Sequence, residues 1–165
     1  MSDVKLFIEK WLNVDKNFDE KSFNGKVVAI HAFQMLCPGC ILHGIPQAQR
    51  LHEAFNSDLV SVVGLHTVFE HHEAMKEVSL KAFLHQFRIN FPVGIDMPSA
   101  CDRIPRTMEH YKLQGTPTWL IFDRQGKLVV NAFGKVEDIE LSSVITQLAL
   151  SVQPSGSGIL KGDHR

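Results

Sequence analysis

Apolar and polar residues fall in blocks along this chain, and the period changes from block to block. Residues 27–33, VVAIHAF, and 58–68, DLVSVVGLHTV, are apolar on both faces, as expected of central parallel strands covered on both sides. Residues 91–96, FPVGID, predict a third, short strand. From Cys37 to Phe55 the spacing is helical, with Pro38 acceptable in the first turn and Pro46 inside, where it should kink the helix. Residues 73–87, EAMKEVSLKAFLHQF, predict an amphipathic helix that offers Met75, Val78, Leu80, Phe83, Leu84 and Phe87 for packing. Near the N-terminus, Val4, Phe7, Ile8, Trp11 and Leu12 keep helical spacing over residues 3–12 behind an acidic first turn, which predicts a short lead-in helix. Residues 102–113, DRIPRTMEHYKL, predict a helix with Pro105 in its first turn. Residues 115–133, GTPTWLIFDRQGKLVVNAF, predict a hairpin around DRQGK, and EDIELSSVITQLAL a closing helix.

Strands alternating with helices, then a hairpin and a last helix, imply an α/β fold with a mainly parallel sheet and an antiparallel edge. The length of 165 residues suits one domain. Its expected organisation is a lead-in helix and turn at 1–24, the α/β domain at 25–152, and a flexible polar tail at 153–165. Right-handed crossovers bring the loops after parallel strands to one rim of the sheet, where open α/β sheets bind ligands. Four irregular segments should meet there: QMLCPGC, TVFEHHE, DMPSACDR and the turn GTPT.

Composition narrows the function classes. A formal net charge of -1, with 21% charged and 44% hydrophobic residues, provides no bulk field for nucleic acid or an anionic membrane. No apolar run is long enough to insert in a membrane, so a cytoplasmic protein is expected, or a periplasmic one if a leader was trimmed. Three cysteines cannot build a disulfide framework in a chain this long, and in a reducing compartment a C-x-x-C pair reads as redox or metal chemistry. At the first turn of a helix, Cys37 meets unpaired backbone N–H groups and the positive end of the helix dipole, both of which favour thiolate. Cys40, one turn on, faces the same side and can attack a mixed disulfide at Cys37. Pro38 and Gly39 keep the turn tight and leave little bulk beside the sulfurs.

A strand, a C-x-x-C pair at a helix start, a proline-kinked helix and the later GTPTWLIFDRQG together resemble the thioredoxin superfamily. Among its branches the chain is most similar to TlpA-like thiol:disulfide reductases and related redoxins, with an extra helix and strand inserted at about residues 74–96. The resemblance spans roughly residues 25–150. It implies a thioredoxin-like fold and thiol-disulfide exchange with protein or small-molecule disulfide or dithiol substrates. Cys37 would be the nucleophile and Cys40 the resolving thiol, with no organic or metal cofactor. It also implies a cis Pro117 facing the cysteine pair, and a Thr116 whose backbone binds substrate. Two positions depart from the family pattern. Leu36 stands where the family commonly has Trp, and His31 where thioredoxin has a buried carboxylate, six residues before the first cysteine. An imidazole beneath Cys40 could accept its proton; the alternative is a core histidine. Pro-Gly between the cysteines, in place of Gly-Pro, leaves the direction of electron flow open.

Rival chemistries meet specific obstacles. A peroxiredoxin needs Pro and Thr or Ser where this chain has Ile30 and Gln34, and haem attachment needs His where Ile41 stands. A metal-binding module would draw on Cys37, Cys40 and His43, with His66, Glu70, His71, His72 and Glu73 on the same rim, although the second C-x-x-C of a strong zinc signature is missing. Cys101, near Arg103 and Arg106, reads first as an ordinary free thiol. Oligomeric state has no signature in the sequence.

Overall fold

The computed structural model describes residues 4–101 and 103–151, so the predicted tail lies outside the described residues. Six strands form one sheet: β1 (Ile8–Leu12), β2 (Val27–Phe33), β3 (Val60–His66), β4 (Val93–Asp96), β5 (Thr118–Phe122) and β6 (Leu128–Phe133), in the order β1-β4-β3-β2-β5-β6. The adjacent strands β4, β3 and β2 run parallel, β5 is antiparallel to β2 and β6 to β5, and β1 is antiparallel to β4. All seven residues of β2 are buried, which is why this strand is apolar at every position but His31 rather than alternating.

Helices α1 (Ile45–Ala54), α2 (Glu77–Gln86) and α4 (Asp138–Leu150) supply Ala48 and Leu51, Leu80 and Leu84, and Leu141 and Ile145 to the core on one face of the sheet. The other face is covered by the short α3 (Arg106–His110), a 3₁₀ turn at Glu20–Phe23 and the N-terminal segment, through Met108, Phe23 and Val4. α3 begins at Pro105 without a side-chain cap of its own. The buried Asp96 carboxylate takes that place, accepting the Thr107 and Met108 N–H groups at 2.8 and 3.0 Å and the Thr67 hydroxyl at 2.8 Å. Among the described residues, no helix is long and apolar enough to cross a membrane.

The lead-in helix is not there: residues 8–12 are an edge strand, and the N-terminal segment belongs to the same sheet as the rest. The register explains the misreading. Ile8 pairs with Asp96 and Lys10 with Ile95, so Glu9 is an extra residue in a bulge. The bulge puts Ile8 and Trp11 on one side of the strand, three apart, which mimics a helical period. Both rest on Gly94, where a Cβ would come within 2.8 Å of Ile8 Cδ1 and 3.2 Å of Trp11 Cζ3. α2 also buries less than its pattern offered. Leu80 and Leu84 are sealed, whereas Val78 is 75% exposed and Phe87 48% exposed.

The cysteine turn and its surroundings

β2 ends at Phe33 and the chain turns through Gln34–Gly39 into a π-helical turn, Cys40–Gly44, that runs directly into α1. Pro46 has no N–H to close an α-helical bond with Leu42. The chain widens ahead of it instead, with Ile45 N–H reaching back to the Cys40 carbonyl. Cys37 is half-buried and Cys40 buried, both as free thiols. The Cys37 thiol donates to the Thr116 carbonyl at 3.4 Å, while its sulfur accepts the Cys40 N–H at 3.3 Å. The Gln34 carbonyl accepts the Cys37 N–H at 3.2 Å. Burial, reinforced by the neighbouring Cys37 thiol, pushes the Cys40 thiol up to about 12, with the Gln34 backbone amide and the Thr116 side chain acting the other way.

The Thr116–Pro117 peptide bond is cis. The Pro117 ring lies against Gly39, where a Cβ would come within 3.2 Å of Pro117 Cδ. A larger side chain at position 39 would have to displace that ring. Gly134 N–H donates to the Pro117 carbonyl at 2.8 Å and the Thr118 hydroxyl to the Gly115 carbonyl at 2.7 Å, which fixes both ends of the GTPT turn. Pro117 and Gly39 also line a cavity of about 100 Å³ with His43, Gly44, Gln47 and Trp119. Gln47 carries no signal in the sequence pattern, yet its side chain accepts the Trp119 indole N–H at 2.8 Å and donates to the Val136 carbonyl and the Asp138 carboxylate at the start of α4.

His31 lies on β2, fully buried under the π-helical turn. Neither ring nitrogen has a hydrogen-bond partner among the described residues, and none is made with Cys40. The ring packs against Gly44, where a Cβ would be 2.3 Å from both Cε1 and Nε2, and between Trp119 and Phe33 at 4.9 and 6.0 Å. Burial alone lowers its pKa to about 3, so the ring is neutral at physiological pH.

All four rim segments meet, through contacts the sequence left unassigned. Thr67 N–H donates to the Phe33 carbonyl at 3.1 Å, Phe69 N–H to Gln34 Oε1 at 3.2 Å, and Gln34 Nε2 to Glu70 Oε1 at 3.4 Å. Met35 N–H donates to His66 Nε2 at 3.4 Å, and a second buried histidine, its pKa lowered by burial to about 4, is thereby used as an acceptor. His72 Nε2 lies 3.0 Å from the Arg103 carbonyl and links the TVFEHHE and DMPSACDR segments. Among the described residues, no group of three or more His, Cys, Asp or Glu side chains is placed to hold a metal ion. The ligand set drawn from Cys37, Cys40, His43 and the histidine-rich loop therefore does not assemble. Cys101 is exposed, and its loop is tied to the TVFEHHE segment through His72 and the Arg103 carbonyl and through Thr67 and Asp96.

No family model matches the chain, and no curated protein does. Solved structures do. A thioredoxin-like superfamily protein is 50% identical, with a TM-score of 0.86 over 90% of this chain and 96% of that one. A thiol-disulfide isomerase from Corynebacterium glutamicum is 42% identical, also with a TM-score of 0.86 over 90% of this chain and 96% of that one. StoA from Bacillus subtilis, 21% identical with a TM-score of 0.59 over 73% of this chain and 82% of that one, shares the fold.

Proposed function

This chain belongs to the thioredoxin-like superfamily, and from that premise we propose that it is a thiol-disulfide oxidoreductase working through Cys37 and Cys40. The observation that carries this reading is the convergence at one sulfur. Cys37 Sγ lies 3.4 Å from the Thr116 carbonyl, beside Pro117, and accepts the Cys40 N–H at 3.3 Å. A helix-start N–H aimed at that sulfur stabilises the negative charge it carries when it attacks. A substrate strand crossing here finds the Thr116 backbone as a hydrogen-bonding edge, with Pro117 and the small Gly39 leaving room above the sulfur.

In the reducing direction, the Cys37 thiolate attacks one sulfur of a substrate disulfide. The substrate S–S bond breaks, the sulfur that was attacked is joined to Cys37 in a mixed disulfide, and the other substrate sulfur leaves as thiolate and takes up a proton. The Cys40 sulfur then attacks Cys37, its proton passing to the departing substrate thiolate, and the Cys37–Cys40 disulfide carries the two electrons' worth of oxidation. Resolution is the step that must expose and deprotonate a buried thiol. His31 was the sequence's candidate acceptor for that proton. In the reduced protein no hydrogen bond joins it to Cys40 and burial makes it a weak base, so support of the turn beneath Gly44 is the role its geometry favours. Substrates are protein or small-molecule disulfides, and a reducing, cytoplasmic setting fits the three-cysteine composition. No cofactor is required, because the sulfur pair itself carries the electrons.

Thiol release from a simple aromatic disulfide tests this. Cys37→Ser is expected to lose turnover entirely, and Cys40→Ser to accumulate a covalent mixed disulfide detected by intact mass. Turnover retained by the Cys37 variant would remove the proposal.

A further inference from the structure

Three consecutive residues ahead of Cys37 are gripped from one side by the end of β3 and the loop that follows it. Phe33 offers its carbonyl to Thr67 N–H, Gln34 its amide to Phe69 and Glu70, and Met35 its N–H to His66. Gln34 is the pivot, being 1% exposed although its side chain ends in a polar amide. Its Oε1 and Nε2 face the loop, while its backbone carbonyl holds the Cys37 N–H at 3.2 Å. A buried amide with both ends bonded is costly to leave unpaired, and this one fixes the end of the strand to a segment more than thirty positions away. Nothing in the exchange chemistry consumes this amide.

We propose that Gln34 is a positioning residue: bridged to Phe69 and Glu70, it clamps the start of the CPGC turn so that the two sulfurs are held ready to join. This rests on the exchange reaction assigned to Cys37 and Cys40. Disulfide closure depends on the effective concentration of one sulfur at the other, and a turn anchored at its first residue keeps that concentration high. Releasing the anchor lets Cys37 wander, so the disulfide becomes less favoured and the pair easier to reduce.

The test is a disulfide equilibrium in glutathione buffers, with thiols counted by mass, on the full chain and four variants. Gln34→Ala removes both bonds to the loop, and is expected to lower the closure constant about tenfold, equivalent to a rise of about 30 mV in reduction potential. Glu70→Ala removes only the bond to Nε2, and should lower it about threefold. The double variant should match Gln34→Ala alone, because the Glu70 contact is contained in what that change already removes. Glu70→Gln keeps an acceptor oxygen and should stay within twofold of the parent. Glu70 is exposed, so its two variants report even if Gln34→Ala fails to fold. Equal constants in the parent and both alanine variants, or additive effects in the double variant, would overturn the clamp and leave the exchange reaction standing. A parent protein that never forms the disulfide takes both down.

Discussion

Two buried histidines flank the cysteine turn with Phe33 between them, and they are held in opposite ways. His31, below the turn, is 6.0 Å from the Phe33 ring and has no hydrogen bond at either nitrogen among the described residues; Trp119, Phe33 and the bare backbone at Gly44 hold it by shape. His66, beside the turn, is 5.1 Å from the same ring and is held by a specific bond, accepting Met35 N–H. The first wall is sensitive to volume and indifferent to polarity, and the second is the reverse. A turn that must present one sulfur and bury another thus has a rigid floor and a directional side brace.

Acid should strain both walls at once, and for that reason its effect should exceed that of any single substitution in either. The folded pKa values of His31 and His66 are lowered to about 3 and about 4, so below the ordinary histidine value of 6.5 the unfolded chain binds protons that the native rings refuse. Stability is therefore complete above pH 6.5 and falls as pH drops towards 4, by up to about 1.4 kcal/mol per pH unit for each histidine. Asp96, raised by burial, acts in the opposite sense and offsets part of this. Urea unfolding at pH 6.5 and 4.5 is expected to differ by about 4 kcal/mol. Equal midpoints would mean that both rings titrate in the native state and that neither wall is sealed.

Gly44→Ala attacks the floor alone. Its new Cβ would lie 2.3 Å from two atoms of a ring that has nowhere to go, and overpacking of this kind costs about 3 kcal/mol. The urea midpoint checks it. Adding His31→Ala vacates the space, so the double variant should be more stable than the sum of the single effects by about 1 kcal/mol or more. Strict additivity would mean that Gly44 is needed for its backbone rather than for the ring below it.

The unequal legibility of the two walls has the same origin. The C-x-x-C pair and the strand carrying His31 could be read from the sequence because each depends on local spacing or on a largely apolar run, and Pro117 because the GTPT stretch resembles a motif of the thioredoxin superfamily. The bonds of Gln34 to Phe69 and Glu70 and of His66 to Met35 could not, since they follow from the parallel register that sets Phe33 against His66, and register is a property of two strands that neither one encodes alone. The same limit explains β1, where a single bulged residue converted a strand's alternation into an apparent helical period. Gly44 was visible as a residue but not as a space, because what it makes room for arrives from the sheet below. Local chemistry was legible and cross-element support was not.

A matched pair of substitutions separates the walls by sign. His66→Leu keeps most of the volume but leaves the Met35 N–H buried without its acceptor, which should cost about 2 kcal/mol. His31→Leu removes two buried nitrogens that have no partner and puts apolar atoms in an apolar site, which should gain about 1 kcal/mol. For a domain of this size that gain is a rise of about 2–4 °C in Tm. Two losses of equal size would mean that both rings are held by bonds, and the contrast would disappear. Turnover of the His31→Leu protein then decides the ring's chemistry. A floor that acts by shape leaves resolution intact, so the stabilised variant should cycle normally. Mixed disulfides trapped as in Cys40→Ser would instead make the imidazole the acceptor of the Cys40 proton, reached only once the turn has moved off it.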